Sequence, residues 1–177
     1  HSLYQKHRMP FESLKARTLN EEVFKKIKDD ALEQTRRLAK QKGECPDMKG
    51  TGKRNAHLLA IAPNANSSMI TGCSPSIEPH KANAYTHRTR AGSHLIKNKY
   101  LRQELKKINM DTPEVWTSII TNGGSVQHLD FINDSIKEVF KTAIEINQRE
   151  IITQGGQRQR YLCQGQSLNI FFPAGAS

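Results

Sequence analysis

RNAHLLAIAPNANSSMITGCSPSIEP, from Arg54 to Pro79, is the stretch that decides the fold, because an apolar run stops there at a proline and gives way to small polar residues. His57 to Ala62 (HLLAIA) suits a strand buried on both faces, although its length also allows a buried helix. Pro63 ends the run. Asn64, Asn66, Ser67 and Ser68 are residue types that cap helices, and Met69 and Ile70 can begin one turn of helix before Gly72 stops it. A strand that feeds a helix through such a turn aims several unpaired backbone N–H groups and the positive end of the helix dipole at one spot. An anion fits there without a lysine. On the residues alone, a capped turn with no ligand is the commoner use of the same signals.

The words APNANSS, SPSIEP and, at Gln166 to Ile170, QSLNI occur here in that order. Together they resemble the large, catalytic subunit of class I ribonucleotide reductase. HSLYQKHRMPFES, GECPDMKGTGKRN and YLCQGQSLNI read like its C-terminal region, so the resemblance covers essentially the whole chain. It implies that the turn after a barrel strand binds the diphosphate of a ribonucleotide through backbone amides and small hydroxyls. By position, the binding residues are Asn64, Ala65, Asn66, Ser67 and Ser68.

Composition sets the outer limits. The chain has 177 residues, 36% hydrophobic and 6% aromatic, which suffices for one domain with a moderate core. No apolar run reaches the length of a membrane span and HSLYQKHRMP lacks the zones of a secretory signal, so a soluble, cytoplasmic protein is expected. Cys45, Cys73 and Cys163 are odd in number and widely spaced, which argues against a disulfide framework and offers no C-x-x-C metal pair.

A formal net charge of +10 raises a competing reading, a basic nucleic-acid-binding module. Lys81 to Lys107 is the most basic section, with Glu104 as its single acid. No zinc-finger spacing, RNP-like aromatic word or helix-turn-helix accompanies it, so this reading ranks second. Gly50-Thr51-Gly52-Lys53 resembles half of a phosphate loop, which places an NTPase third. His57, His80, His87, His94 and His128 lack zinc-binding spacing, and Glu78 has no second acid near it, so it reads as structural.

Along the chain, Thr18 and Glu21 have the spacing of a capping box, and Val23, Phe24, Ile27, Ala31 and Leu38 recur at helical intervals. A helix over 19–42 follows, then a loop over 43–54. Asn83–Arg88 and His94–Lys97 predict a peripheral hairpin, and 98–109 and 113–121 two short helices, giving a peripheral hairpin-and-helix section over 80–110. A longer helix is expected from Ser135 to about Thr153, capped by Asn133 or Asp134 and ended by Gly155 and Gly156. Gln166 to Phe172 reads as a second strand, and Pro173 to Ser177 as a tail without structural signal.

This order fits an α/β fold, part of an α/β barrel whose strands feed site-bearing loops. The resemblance narrows this to the C-terminal section of a ten-stranded α/β barrel over 1–177, incomplete on its own. The family's thiyl-radical cysteine, its reducing cysteine pair, its assisting asparagine and glutamate and its effector sites are expected N-terminal to the matched region, and its tyrosine pair after Phe172. No catalytic residue or metal ligand is therefore assigned here, and Cys73 is expected to be a small buried thiol in a loop. The implied partners are the N-terminal part of the large subunit, a second large subunit, a small di-iron tyrosyl-radical subunit, thioredoxin or glutaredoxin, nucleotide effectors and a ribonucleoside diphosphate substrate. Unpaired barrel edges predict poor solubility for the chain alone.

Overall fold

A computed structural model describes residues 1–90, 92–173 and 175 of the chain. The order of elements is α1 (Ser2–Lys6), α2 (Leu14–Lys42), a short 3-10 turn (Pro46–Met48), α3 (Ala65–Thr71), β1 (Ala84–Thr89), β2 (Gly92–Lys97), α4 (Lys99–Lys107), α5 (Pro113–Thr121), α6 (Asp134–Val139) and α7 (Gln148–Gln159). β1 and β2 form an antiparallel hairpin with Ala84 opposite Lys97 and Thr89 opposite Gly92.

Two clusters of buried side chains hold these elements. The larger lies under the hairpin and joins Leu101 and Leu105 of α4, Trp116 and Ile119 of α5, and Val126, Leu129, Val139 and Phe140. The smaller joins Tyr4, Phe11, Ala16, Ile146 and Ile151, with Leu168 and Phe171 packed against it. Burial of Trp116 and Phe140 to 0% exposure removes large apolar areas from water, the main favourable contribution to folding.

The helix ends follow local chemistry. Asn98 accepts from Tyr100 N–H to start α4, and Thr112 accepts from Val115 N–H with Pro113 in the first turn of α5. α2 begins five residues before the expected Leu19. Ser13, whose side chain accepts from Ala16 N–H, is its cap, and Thr18 lies inside the helix. Val23, Phe24, Ala31 and Leu38 are only half-buried and Ile27 is exposed, while Ala16, Asn20 and Thr35 are the buried positions of α2. Asn20 is buried because it meets α7: its Nδ2 donates to Gln154 O at 3.1 Å.

The single helix expected from Ser135 to Thr153 is two helices. Thr142 and Glu145 form the interruption, with Thr142 N–H and its hydroxyl donating to Glu145 Oε2 at 2.7 and 2.9 Å. Glu145 Oε1 accepts from Ser125 Oγ at 2.6 Å, which fixes the turn to the rest of the chain. Asn147 then caps α7. Gly155 and Gly156 lie within α7 instead of ending it. At Gly155 an added Cβ would stand 3.3 Å from Leu168 Cδ2, so the missing side chain lets the extended C-terminal segment lie close against the helix.

HLLAIA is extended, but it is not a strand buried on both faces. His57, Ala60 and Ala62 are exposed, and its ladder is a single parallel bridge from Ile61 to Gln166. Around that bridge Ile61 N–H donates to Gly165 O at 3.2 Å and Ser167 N–H to Ile61 O at 2.9 Å. Gln166 to Phe172 is likewise extended with only this bridge, so the second expected strand is also unlayered. Of the tail expected after Phe172, Ala174, Ala176 and Ser177 lie outside the described residues.

Candidate functional site

Pro63 leads into Asn64, which takes a left-handed backbone with φ 47° and ψ 36° and is the N-cap of α3. Asparagine tolerates that region better than most side chains. No side chain caps the helix, contrary to the capping expected of Asn64, Asn66, Ser67 and Ser68. The first backbone bond of the helix runs from Ser68 N–H to Asn64 O at 3.0 Å. The N–H groups of Ala65, Asn66 and Ser67 precede it and are the ones a helix leaves unsatisfied. Asn64, Ala65, Asn66 and Ser67 are exposed, and Ser68 is buried with its hydroxyl donating to Ala65 O at 2.6 Å. Thus α3 is a full seven residues, longer than the single turn expected, and Gly72 ends it in the left-handed region at φ 62°.

Three separated stretches converge here. Ile61 bridges to Gln166, Ser76 Oγ donates to Ser167 O at 3.2 Å, and Asn169 N–H and Nδ2 both donate to Glu78 Oε1, at 2.8 and 2.7 Å. Glu78 is 3% exposed and serves as a structural acceptor, as its sequence context suggested. The sequence words around positions 61, 78 and 167 therefore describe one spatial unit: two extended segments bridged in parallel, the turn that follows the first and the ties that hold the turn back.

A second layer holds that unit against the body. Gln166 Oε1 accepts from Arg158 Nε at 2.8 Å, and its Nε2 donates to Gly155 O at 2.9 Å. Arg158 is 1% exposed, and burial lowers its guanidinium from its ordinary range to about 10. It donates also to Asn20 Oδ1 at 3.3 Å. Tyr4, which donates to Gln154 Oε1 at 2.9 Å, is pushed up to about 12, chiefly by burial. A polar network of this kind, with its members partnered, fixes the register of packed helices as well as their contact.

On the other side of α3, Ser74 N–H donates to Ser2 Oγ at 2.7 Å, and Ser2 Oγ lies 2.9 Å from His80 Nε2. Burial foremost, then repulsion from the amino group of His1 and from Lys99, lowers the His80 imidazole to about 4. Sequence reasoning did not find this support, because Ser2 and Ser74 are 72 positions apart and a lone serine carries no signal. Cys73 is exposed, contrary to the buried thiol expected of it, and Cys163 Sγ accepts from Leu58 N–H and Leu59 N–H at 2.9 and 3.0 Å. Those backbone bonds, Leu59 first, hold the Cys163 thiol below the ordinary thiol range. Among the described residues no group of three or more His, Cys, Asp or Glu side chains is arranged to hold a metal, and no helix is long and apolar enough to cross a membrane.

Two extended segments bridged in parallel, the first followed by a helix-bearing turn and the pair backed by helices, suit part of an α/β barrel. Comparison with known proteins agrees. The model of the family "Ribonucleotide reductase, barrel domain" matches residues 46–177. A Frog virus 3 (isolate Goorha) protein that carries the provisional name ribonucleoside-diphosphate reductase large subunit is 56% identical over 172 residues, covering 97% of this chain and 30% of that protein. The ribonucleoside-diphosphate reductase large subunit of Invertebrate iridescent virus 6 is 43% identical, over 97% of this chain and 18% of that one. Among solved structures, the class Id ribonucleotide reductase alpha subunit of Actinobacillus ureae superposes with a TM-score of 0.86 at 41% identity, over 96% of this chain and 31% of that chain.

The chain belongs to the ribonucleotide reductase barrel-domain family. It spans less than a third of the length of the relatives named here.

Proposed function

We propose that this chain is the section of a ribonucleoside-diphosphate reductase large subunit that binds the diphosphate of the substrate. In this reading Ala65, Asn66 and Ser67 present their backbone N–H groups to the phosphate oxygens. Asn64 sets the entry of the turn, the Ser67 hydroxyl adds a donor, and Ser68 holds the first turn closed from behind. The positive end of the helix dipole adds to the attraction for a doubly charged group. The observation that carries the reading is a turn with exposed, uncapped N–H groups lying inside the matched region 46–177.

Binding the diphosphate would anchor the ribose relative to groups supplied by the rest of the large subunit. Reduction of the ribonucleotide by thiyl-radical chemistry would then belong to the assembled oxidoreductase and serve deoxyribonucleotide synthesis for DNA. We assign the reacting cysteines to the part of the subunit beyond these residues, and the di-iron tyrosyl radical to a small partner subunit. A second large subunit, nucleotide effectors, and thioredoxin or glutaredoxin complete the expected set. The names of the relatives support the substrate class, since each is called a ribonucleoside-diphosphate reductase large subunit, the Frog virus 3 one provisionally.

Equilibrium binding of CDP and of cytidine to the intact protein that carries this chain tests the reading. CDP should bind and cytidine should bind much more weakly. Ser67→Pro removes one amide donor and disfavours the helical backbone of the preceding residue, so it should abolish the advantage of CDP while circular dichroism remains unchanged. Equal binding of CDP and cytidine would overturn the assignment.

A further inference from the structure

The hairpin side of α3 borders a cavity of about 590 Å³, closed by the start of α4 and by the segment that leads into β1. That volume lies within the range of about 300–1,000 Å³ usual for small-molecule sites. Lys81, Lys97 and Lys99 line it, and no aspartate or glutamate does. None of the three lysines takes part in an ion pair among the described residues.

Aromatic faces support their stems instead. Lys97 Nζ lies 4.9 Å from the ring centre of Trp116, Lys99 Nζ 5.1 Å from that of Tyr100, and Lys81 Nζ 5.6 Å from that of Phe171. Such contacts orient an ammonium group but leave its hydrogen-bond donors free. Asp111, whose carboxylate feels the charge of Lys97, is already committed to Trp116 Nε1 at 2.8 Å and Arg102 Nε at 2.9 Å. Lys99 Nζ also lies near Gly72, at the negative end of α3, which offsets part of its charge. Met69, Tyr85 and Ile96 give the cavity an apolar wall.

We propose that this cavity binds a small organic anion, with a phosphate or carboxylate head at Lys97 and Lys99 and an aromatic or apolar body against Met69, Tyr85 and Ile96. Concave shape, apolar wall and lysines without ion pairs are together what such a ligand requires. The cavity shares Ala65 and Ser68 with the diphosphate turn, but the cations proposed to hold the head group come from the end of β2 and the start of α4, so the proposal stands apart from the diphosphate reading.

Cys73 lines the cavity and is exposed, whereas Cys163 is exposed elsewhere, so one protein carries both reporter and control. The intact protein is alkylated with neutral iodoacetamide, and the two cysteine peptides are followed by mass spectrometry. Phenyl phosphate should slow alkylation of Cys73 several-fold and leave Cys163 unchanged. Benzoate and inorganic phosphate in parallel assign the head group and the need for a body. Lys97→Ala with Lys99→Ala should remove the protection, and Lys97→Arg with Lys99→Arg should keep it. Slowing by uncharged phenol equal to that by phenyl phosphate would overturn the proposal. So would the absence of protection by every anion, equal slowing at Cys163, or a Cys73 that does not react in the ligand-free protein.

Discussion

Among single residues, two glycines separate conformational need from mere occurrence. Gly124 has φ +83°, and a Cβ there would fall 2.2 Å from Ala82 Cβ and 2.6 Å from Ala82 Cα. Gly124→Ala therefore combines backbone strain with a clash against main chain, and should cost about 3 kcal/mol or more in urea unfolding. Gly156 is interior to α7 with open space where its side chain would be. Gly156→Ala should instead stabilise by up to about 1 kcal/mol, through helix propensity.

His80 makes the stability pH-dependent. The folded protein holds its imidazole at about 4, while the unfolded chain protonates it near 6.5. The unfolded state thus binds more protons between these values, so stability is full above 6.5 and falls as pH drops towards 4. The loss attributable to this residue is at most about 3 kcal/mol. His80→Gln should flatten that part of a pH series of urea melts; an unchanged slope would mean that the buried imidazole is not its source.

At the scale of elements, the starts of α4 and α5 and the hairpin were legible because their signals are local. Asn98, Pro113 and the paired runs around β1 and β2 each decide structure within a few residues. The boundary between α6 and α7 was also written in the sequence, as the T-x-x-E pattern of Thr142 and Glu145, but the apolar stripe from Ile136 to Ile146 masked it. Glu145→Ala removes the acceptor for two Thr142 donors and for Ser125 Oγ. It should lower stability by about 1–2 kcal/mol. Exchange of the amides around 140–147 should accelerate more than that of α5. In contrast, glycine misled at 155 and 156, where its role is set by the approach of Leu168, a contact no local pattern encodes.

For the whole molecule, the barrel class followed from one apolar run, one turn and one later run, and the family comparison bears it out. What the sequence could not convey was how little of those runs is covered within these residues. Burial on two faces is a property of neighbouring strands, and HLLAIA has one neighbour here, joined by a single bridge. Ile70 and Phe172, 89% and 68% exposed, likewise lie uncovered. The ties from Ser76 and Glu78 to Ser167 and Asn169 were invisible for the same reason, since each spans 91 positions. Resemblance located those words; only the fold shows that they meet.

The most direct test of the central claim is a crystal structure of the intact protein with CDP bound. The account predicts diphosphate oxygens at about 2.7–3.2 Å from the backbone nitrogens of Ala65, Asn66 and Ser67. Phosphates bound elsewhere, with the start of α3 facing only water, would contradict it.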